Sequence, residues 1–141
     1  RLLSAQDALD QDDQTTARHL CERLRLGEFI TVVQDRNVSH AKGVMVPFLG
    51  QPAFTPYFAV NLALYAAAPV VPAFLIDEGP RYRLWLGDPI EIKPLETNTA
   101  TYRHYCTVFN QALGQAILAQ PDRWFWAHKR WSRPKGEVRS D

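Results

Sequence analysis

The sequence has little of several residue types on which common functional sites depend. It contains 141 residues with two cysteines and one methionine, and its net charge is +1. Cys21 and Cys106 are too few for a disulfide framework, which favours a reducing compartment, and their positions on apolar helix stripes predict buried thiols. The small net charge argues against a nucleic acid partner held by the overall field of the domain.

Sequence motifs for common catalytic and cofactor sites are also missing. There is no Gly-rich phosphate loop, no Gly-x-Ser-x-Gly elbow and no Cys-x-x-Cys pair. None of the four histidines has a second ligand at a recognised metal spacing. We therefore expect neither a cofactor nor a metal site. No signal peptide is visible, and a start at Arg1 rather than Met is typical of a fragment or a processed product.

One long uncharged run needs an interpretation. Phe58 to Ile76 is nineteen residues without a charged side chain, which is long enough for a membrane-spanning helix. Pro69 and Pro72 lie within it, and proline in a helix interior costs about 3 kcal/mol. The residues after Pro69 are largely β-branched or aromatic. We predict a helix, a turn and a strand here, with a transmembrane helix as the alternative.

The hydrophobic pattern predicts a single α/β domain over residues 1–134, followed by a disordered tail over 135–141. The run from Phe29 to Val33 is apolar throughout, which favours a strand buried on both faces. The expected architecture is a partial mixed or parallel sheet flanked by helices. Helices are predicted over 4–26, from a Thr55 N-cap to about 67, and over 98–119; strands are predicted over 29–33, 44–48, 70–76 and 82–86, with a turn region at 49–56.

The polar loop after the first predicted strand is the first candidate site. It contains Asp35, Arg36 and Asn37, and ligands of open α/β sheets bind at the carboxyl ends of strands. An acid and a guanidinium there can position a substrate, and His40 in the same loop is a candidate general base. The alternative is an ordinary polar turn, because Asp and Asn favour turns.

The C-terminal segment is the second candidate. From Pro121 to Asp141 there are six Lys or Arg against three Asp or Glu, together with three of the four tryptophans. Arg matches phosphate oxygens, and Trp favours membrane interfaces, so the basic and aromatic cluster here is predicted to contact a lipid headgroup or a membrane. Its members are Trp124, Trp126, His128, Lys129, Arg130, Trp131 and Arg133. The alternatives are tryptophans that close the core, or stacking on single-stranded nucleic acid.

Four sequence blocks together resemble the bacterial lipid A biosynthesis acyltransferases, the lauroyl and myristoyl transferases of the lysophospholipid acyltransferase superfamily. The resemblance covers about residues 17 to 134, and the terminal Trp-x-Trp-x-His-x-Arg-Trp block is its most specific part. The blocks are Asp35-Arg36-Asn37, residues 43–53 (GVMVPFLGQPA), residues 68–72 (APVVP) and residues 121–134 (PDRWFWAHKRWSRP).

The resemblance implies an enzyme that moves a fatty acyl chain from acyl carrier protein or coenzyme A to a lipid or glycolipid hydroxyl. These thioesters would be co-substrates rather than cofactors. The implied partners are the donor, the lipid acceptor and the cytoplasmic face of the inner membrane, with no nucleic acid. Exposed sheet edges in a partial fold would also allow homo-oligomers.

The resemblance assigns roles to particular residues. Asp35 would help to hold the acceptor or would stabilise the site near the catalytic histidine. Arg36 is also expected to bind substrate, although the family more often has Gln or His at its position. The residues expected to line the acyl chain or headgroup are Val46, Pro47, Phe48, Gly50 and Pro72, and those expected near phosphate or membrane are Trp126, Arg130 and Arg133.

The sequence departs from the family in its catalytic signature. That signature is His-x4-Asp/Glu, in which the acid orients a histidine that acts as general base. The fifth residues after the four histidines are Leu24, Met45, Phe109 and Arg133. The chain thus resembles the C-terminal half of the fold, is expected to be inactive alone, and would have its catalytic residues upstream of residue 1. The other interpretations are a non-catalytic module that binds lipids or anionic surfaces, and an unrelated small α/β ligand-binding domain.

Overall fold

The computed structural model describes residues 14–131, which form three helices and two antiparallel β-hairpins. A short 3₁₀ turn over Pro121–Arg123 leads into the C-terminal segment, residues 121–131. In chain order the elements are α1 (Gln14–Arg25), β1 (Gly43–Phe48), β2 (Gln51–Pro56), α2 (Phe58–Ala66), β3 (Ala73–Asp77), β4 (Tyr82–Leu86) and α3 (Asn98–Ala119).

The β1–β2 hairpin forms even though its strands contain three prolines. Leu49 and Gly50 connect the strands with φ of 48° and 80°, the positive values that a two-residue turn of the I′ type requires. Counting outward from the Phe48–Gln51 pair, every second pair makes no ladder hydrogen bonds. Pro47, Pro52 and Pro56 all fall in such pairs, so no ladder bond is lost to proline.

The main core lies between this hairpin and α3. Val46 and Val60 pack with Cys106 and Phe109 on the buried side of α3. Gly114 allows a close approach, because a Cβ there would lie 3.2 Å from Leu49 Cδ2. The helix begins at a Thr97 N-cap, whose side chain accepts a hydrogen bond from the Ala100 N–H at 3.1 Å. This packing fixes the hairpin against α3.

The two other helices form a second, smaller core. Leu20 and Cys21 of α1 pack against Leu62 of α2. Gly27, with φ of 81°, follows α1 as the sequence predicted, and its N–H donates to the Leu24 carbonyl. The predicted N-terminal part of the first helix, residues 4–13, lies outside the described residues.

The second hairpin, β3–β4, stands apart from the main core. It is anchored at its base by the Val70–Ile90 bridge, and its tip is closed by a hydrogen bond from the Glu78 N–H to the Arg81 carbonyl. Every residue of β4 is exposed. The hairpin therefore lacks the cover that an amphipathic ribbon normally has on one face.

The α/β class is confirmed, but the parallel arrangement is not. Both described ladders are antiparallel. The run 29–33 was predicted to be a buried strand, and this is wrong: it has a single bridge residue, Ile30, and its residues alternate between exposed and half-buried. An apolar, β-branched composition favours a strand but does not supply the neighbouring strand that it needs for hydrogen bonding. In this structure β1 pairs with β2, and β3 pairs with β4.

Two other local predictions fail for related reasons. Residues 51–56 form a strand rather than part of a turn, and α2 begins at Phe58 after an N-cap at Tyr57. Thr55 therefore lies in β2 and is not the N-cap of α2. Its side chain is buried in the core. Within residues 14–131 no helix combines the length and apolarity needed to cross a bilayer.

Candidate functional site

The candidate site is formed by the loop over residues 34–42, which is held against β2 and the C-terminal segment. Gln34 Nε2 donates to the Pro56 carbonyl at 2.8 Å, and Asn37 Nδ2 donates to the Lys129 carbonyl at 3.1 Å. Between them, Asp35 Oδ2 accepts a long hydrogen bond of 3.4 Å from Trp124 Nε1. Two sequence blocks about ninety residues apart thus meet at this loop, as the distances just given show.

Arg130 joins the C-terminal segment to the β1–β2 hairpin. Its side chain is fully buried, with 0% relative exposure. One guanidinium nitrogen donates to the Phe54 carbonyl at 2.6 Å and the other to Thr55 Oγ1 at 2.8 Å. Its Cζ also lies 4.8 Å from the centre of the Phe48 ring. The segment is thereby fixed to β2 by charge-assisted hydrogen bonds.

Asn110 of α3 completes this buried polar cluster. Its Nδ2 donates to both the Pro47 carbonyl and Thr55 Oγ1, each at 2.9 Å. The Thr55 hydroxyl therefore accepts from Asn110 and from Arg130 at once. Three parts of the fold, α3, the β1–β2 hairpin and the C-terminal segment, converge on this one hydroxyl.

The electrostatics of the cluster follow from burial. Desolvation lowers the pKa of Arg130 to about 10, and the nearby Asp35 carboxylate opposes that shift. Desolvation also raises the pKa of Cys106 to about 12, which the charge of Arg130 partly offsets. At neutral pH the guanidinium remains charged and the thiol remains protonated. Asp35 therefore faces a buried cation on the protein side of the loop.

A shallow recess opens on the other side of the same loop. Its enclosed volume is only about 10 Å³, room for about one water molecule, whereas sites that enclose a whole ligand measure roughly 300–1,000 Å³. Apolar side chains dominate its wall and Arg36 supplies a cation, so it suits one part of an amphipathic, anionic molecule. The lining residues are Val32, Val33, Arg36, Val38, Pro56 and Phe58.

The structure separates the predicted wall residues into two groups. Val46 and Phe48 are buried in the cores against α3 and the tryptophans, so they support the hairpin instead of lining the recess. Pro47 and Gly50 are exposed on the hairpin. Pro72 lies at the base of the second hairpin, where its carbonyl accepts from the Gly87 N–H at 2.9 Å.

The predicted headgroup residues are also separated. Trp126 is half exposed, and its Nε1 donates to the Pro121 carbonyl. The predicted phosphate contact of Arg130 needs correction, because its guanidinium is buried and bonded to protein oxygen atoms. Arg133 lies outside the described residues. The alternative that the tryptophans pack holds for Trp124 and Trp131, which contact Phe48.

Sequence reasoning missed most of the recess lining and the buried cluster. Val32 and Val33 were interpreted as a buried strand, although their position just before a polar loop was the available signal. Thr55 and Asn110 gave no signal, because their contacts join residues 55 positions apart in the sequence. His40, the candidate base, is exposed and packs edge-on against Phe54 with ring centres 4.1 Å apart.

The fold and the site define an α/β domain with an apolar recess and a cation beside a carboxylate. The family model of the bacterial lipid A biosynthesis acyltransferases matches residues 1–133 of the chain. The chain therefore belongs to the bacterial lipid A biosynthesis acyltransferase family, as the sequence blocks indicated. A search of curated proteins returned no match.

Proposed function

We propose that this chain supplies the substrate-binding part of an enzyme that transfers a fatty acyl group from acyl carrier protein or coenzyme A to a hydroxyl of a lipid or glycolipid. The observation that carries the proposal is the family match over residues 1–133. The meeting of the Asp35 loop with the C-terminal segment supports it, because two family-like blocks about ninety residues apart contact each other.

The residues of the chain suggest how an acceptor would be held. Arg36 lines the recess and is exposed, so it can bind a phosphate or carboxylate of the acceptor. Val33 and Phe58 provide apolar surface for adjoining methylene groups. Asp35 is oriented by Trp124 and balanced by the Arg130 charge, and this fixes the loop that presents Arg36.

The transfer itself needs a general base that the chain does not provide in its His-x4-acid form. In the proposed reaction a histidine takes the proton of the acceptor hydroxyl, whose oxygen forms a bond to the thioester carbonyl carbon. The C–S bond then breaks, and the proton passes to the leaving thiol. We place that histidine and its acid upstream of residue 1. The chain alone is therefore expected to bind the acceptor but not to catalyse acyl transfer.

The proposed place of action is the cytoplasmic face of the bacterial inner membrane. Phe125 and Trp126 are 71% and 50% exposed, an unusual exposure for large aromatic side chains. Aromatic side chains of this kind favour the interface between headgroups and acyl chains. We propose that Trp126 contacts this interface, which would keep a lipid acceptor near the recess.

Arg36 gives a direct test of acceptor binding. Replacing Arg36 with Gln should raise the KM or Kd for a phosphate-bearing acceptor about tenfold, the scale of one charged hydrogen bond, and should leave the affinity for an uncharged analogue unchanged. Isothermal titration with both acceptors measures this. Arg103→Gln, an exposed change on α3, is the matched control. Equal effects on both acceptors would contradict the role of Arg36.

A second function is favoured by one observation, the absence of the His-x4-acid pattern from the sequence. In this alternative the chain is a non-catalytic module that binds lipids or anionic surfaces. It makes the same binding prediction for Arg36, but no acyl transfer would follow in any sequence context.

A further inference from the structure

The junction between β2 and α2 contacts both ends of the loop over residues 34–42. Pro56 is the last residue of β2, and its carbonyl accepts a hydrogen bond from Gln34 Nε2 at 2.8 Å. Tyr57 comes next in the chain, and its hydroxyl donates to the Ala41 carbonyl at 2.5 Å. Two consecutive residues of the junction therefore bind the start and the end of the loop.

Tyr57 lies between two residues of the recess but does not line the recess itself. Pro56 and Phe58 are both lining residues, together with Arg36. The Tyr57 ring instead stacks on the ring of Tyr102, with the ring centres 4.5 Å apart and the ring planes at 12°. Both tyrosines pack against the main core. Any influence of Tyr57 on a ligand in the recess therefore passes through the groups that Tyr57 holds.

Two helices fix the direction of the Tyr57 ring. Tyr102 lies on α3, where burial raises the pKa of its hydroxyl and a hydrogen bond with the Asn61 side chain of α2 opposes that shift. The Tyr102 hydroxyl therefore keeps its proton at neutral pH. A stacked aromatic pair adds stability beyond the area that it buries, so the Tyr57 ring is held where its hydroxyl reaches the Ala41 carbonyl.

The contacts of the loop with the C-terminal segment are longer than its contact with the Tyr57 hydroxyl. The hydrogen bond from Trp124 Nε1 to Asp35 measures 3.4 Å, and the bond from Asn37 to the Lys129 carbonyl measures 3.1 Å. An N–H···O bond is usually about 2.9 Å long and an O–H···O bond about 2.7 Å. The Asp35 contact is therefore long for its type, and the Tyr57 contact is short.

Arg36 stands in the chain between the two positions that the junction holds, Gln34 and Ala41. Its side chain is exposed, so the backbone of the loop determines where its guanidinium is presented. A group that is already held in its binding position loses less conformational entropy when a ligand binds. The hydrogen bond from Tyr57 to Ala41 contributes to this preorganisation.

We propose that Tyr57 is a positioning residue for acceptor binding: its hydroxyl holds the end of the loop, and the loop then presents Arg36 to a phosphate group of the acceptor. This rests on the proposed function, in which Arg36 binds that phosphate. The role requires no contact between Tyr57 and the substrate. Tyr57→Phe removes the hydroxyl and keeps the ring that stacks on Tyr102, so this variant isolates the hydrogen bond.

Titration of the full chain with hexyl phosphate, followed by NMR chemical shifts, tests the role. Tyr57→Phe should raise the Kd about three- to tenfold, the scale of one hydrogen bond, and should leave the affinity for hexanol unchanged. In an Arg36→Gln background the same change should have no further effect, because the hydroxyl acts through Arg36. Tyr65→Phe is the matched control, since Tyr65 is on the same helix and is 71% exposed.

Hydrogen exchange measures the anchoring of the loop without any ligand. The Lys42 N–H donates to the Ser39 carbonyl at 3.0 Å, and the Lys42 carbonyl accepts from the Tyr57 N–H at 3.4 Å. Tyr57→Phe should speed exchange of the Lys42 amide about three- to tenfold, because the end of the loop opens more often. Tyr65→Phe should leave this rate unchanged, and circular dichroism confirms that both variants fold.

An unchanged Kd for hexyl phosphate in Tyr57→Phe would overturn the proposal while leaving the proposed function intact. Additive losses in the double variant of Tyr57→Phe and Arg36→Gln would also overturn it, because Tyr57 would then act independently of Arg36. Equal binding of hexyl phosphate to the wild type and to Arg36→Gln would contradict the proposed acceptor role of Arg36, and with it the positioning role. Faster exchange of the Lys42 amide in Tyr57→Phe would in that case still support the anchoring of the loop by Tyr57.

Discussion

At the scale of single residues, Arg130 connects the C-terminal segment to the hairpin beside the recess. Its guanidinium donates hydrogen bonds to the Phe54 carbonyl and the Thr55 hydroxyl, and the nearby Asp35 carboxylate stabilises its positive charge. A buried cation is expensive to desolvate, so its contribution lies in holding its partners rather than in net stability. Removing it leaves buried acceptors without their donors.

Truncation of Arg130 should therefore be strongly destabilising. Arg130→Ala is expected to lower the free energy of unfolding by about 2–4 kcal/mol, because the buried Phe54 carbonyl loses its donor, Thr55 loses one of its two donors, and the large buried side chain leaves a cavity. Arg130→Lys should lose less, since the charge remains but the forked geometry does not. Urea unfolding followed by Trp fluorescence measures both. Arg103→Ala is the exposed control. If Arg130→Ala lowered the free energy of unfolding no more than this control does, Arg130 would not hold the C-terminal segment to β2.

Cys106 gives a prediction about pH. Burial raises the pKa of its thiol to about 12 from a usual 9.0, so the folded chain keeps a proton that the unfolded chain loses in that interval. The thiol's contribution to stability is complete below pH 9 and is lost as pH rises toward 12, by about 1.4 kcal/mol per pH unit. Urea unfolding between pH 9 and about pH 10 should show this slope in the wild type, whereas at higher pH the lowered pKa of Arg130 changes stability in the opposite direction.

The matched variant for that slope is Cys106→Ala. Its stability relative to the wild type should improve between pH 9 and about pH 10, because only the wild type carries a thiol that keeps its proton in the folded chain and loses it on unfolding. A constant difference between the two proteins from pH 7 to beyond pH 9 would show that the thiol is not desolvated as its burial indicates.

At the scale of secondary structure elements, Gly43 controls how closely the site loop approaches β1. A Cβ at this position would lie 2.5 Å from Val38 Cγ2 and 2.7 Å from the Thr55 carbonyl oxygen. Both contacts are shorter than real Cβ atoms make, so either the loop or β2 must move. Val38 also lines the recess, and a shift of the loop would therefore change the site.

Gly43→Ala should destabilise the chain by about 1–3 kcal/mol, the usual range for overpacking. Adding Val38→Ala should recover only part of this loss, because the clash with the Thr55 backbone remains. Chemical denaturation of the wild type, the single variant and the double variant measures the two terms. Full recovery in the double variant would show that the backbone contact is not limiting.

The elements that sequence reasoning predicted well are those with a strong local pattern. The bounds of α3 and β4 coincide with the predicted 98–119 and 82–86. The β2 strand was missed, because prolines usually mark turns and only the pairing register shows that Pro52 and Pro56 avoid the ladder. The run 29–33 was misassigned, because apolar composition does not show whether a partner strand exists.

The candidate site was predictable in part. Asp35 and Arg36 were named from their position in a polar loop, and Arg36 lines the recess. The partners of Asp35 and Thr55 were not predictable, because those contacts cross most of the chain and leave no local periodicity. The same reason explains Arg130, whose basic and aromatic neighbours indicated an exposed surface although its side chain is buried.

At the scale of the whole molecule, the described part of the chain combines the buried Arg130, hydrogen-bonded to β2, with exposed apolar side chains. Arg130 fixes the C-terminal segment to β2, and that segment in turn holds the loop that carries Asp35 and Arg36. The exposed apolar side chains include those of the β3–β4 hairpin and those of Phe125 and Trp126. The chain belongs to the acyltransferase family, and the proposed binding of an amphipathic acceptor near a membrane would use both features.

Acyl transfer by the gene product that contains this chain is the decisive test of the proposed function. The protein is incubated with isotope-labelled acyl carrier protein or coenzyme A thioester and a glycolipid hydroxyl acceptor, and mass spectrometry follows the new ester and the released thiol. We expect one ester per thiol released and a loss of about 100-fold in Asp35→Ala, because a misplacement of about 1 Å in the loop that presents Arg36 can cost that factor. A folded protein that forms no ester with either donor, or an Asp35→Ala variant with unchanged transfer, would contradict it.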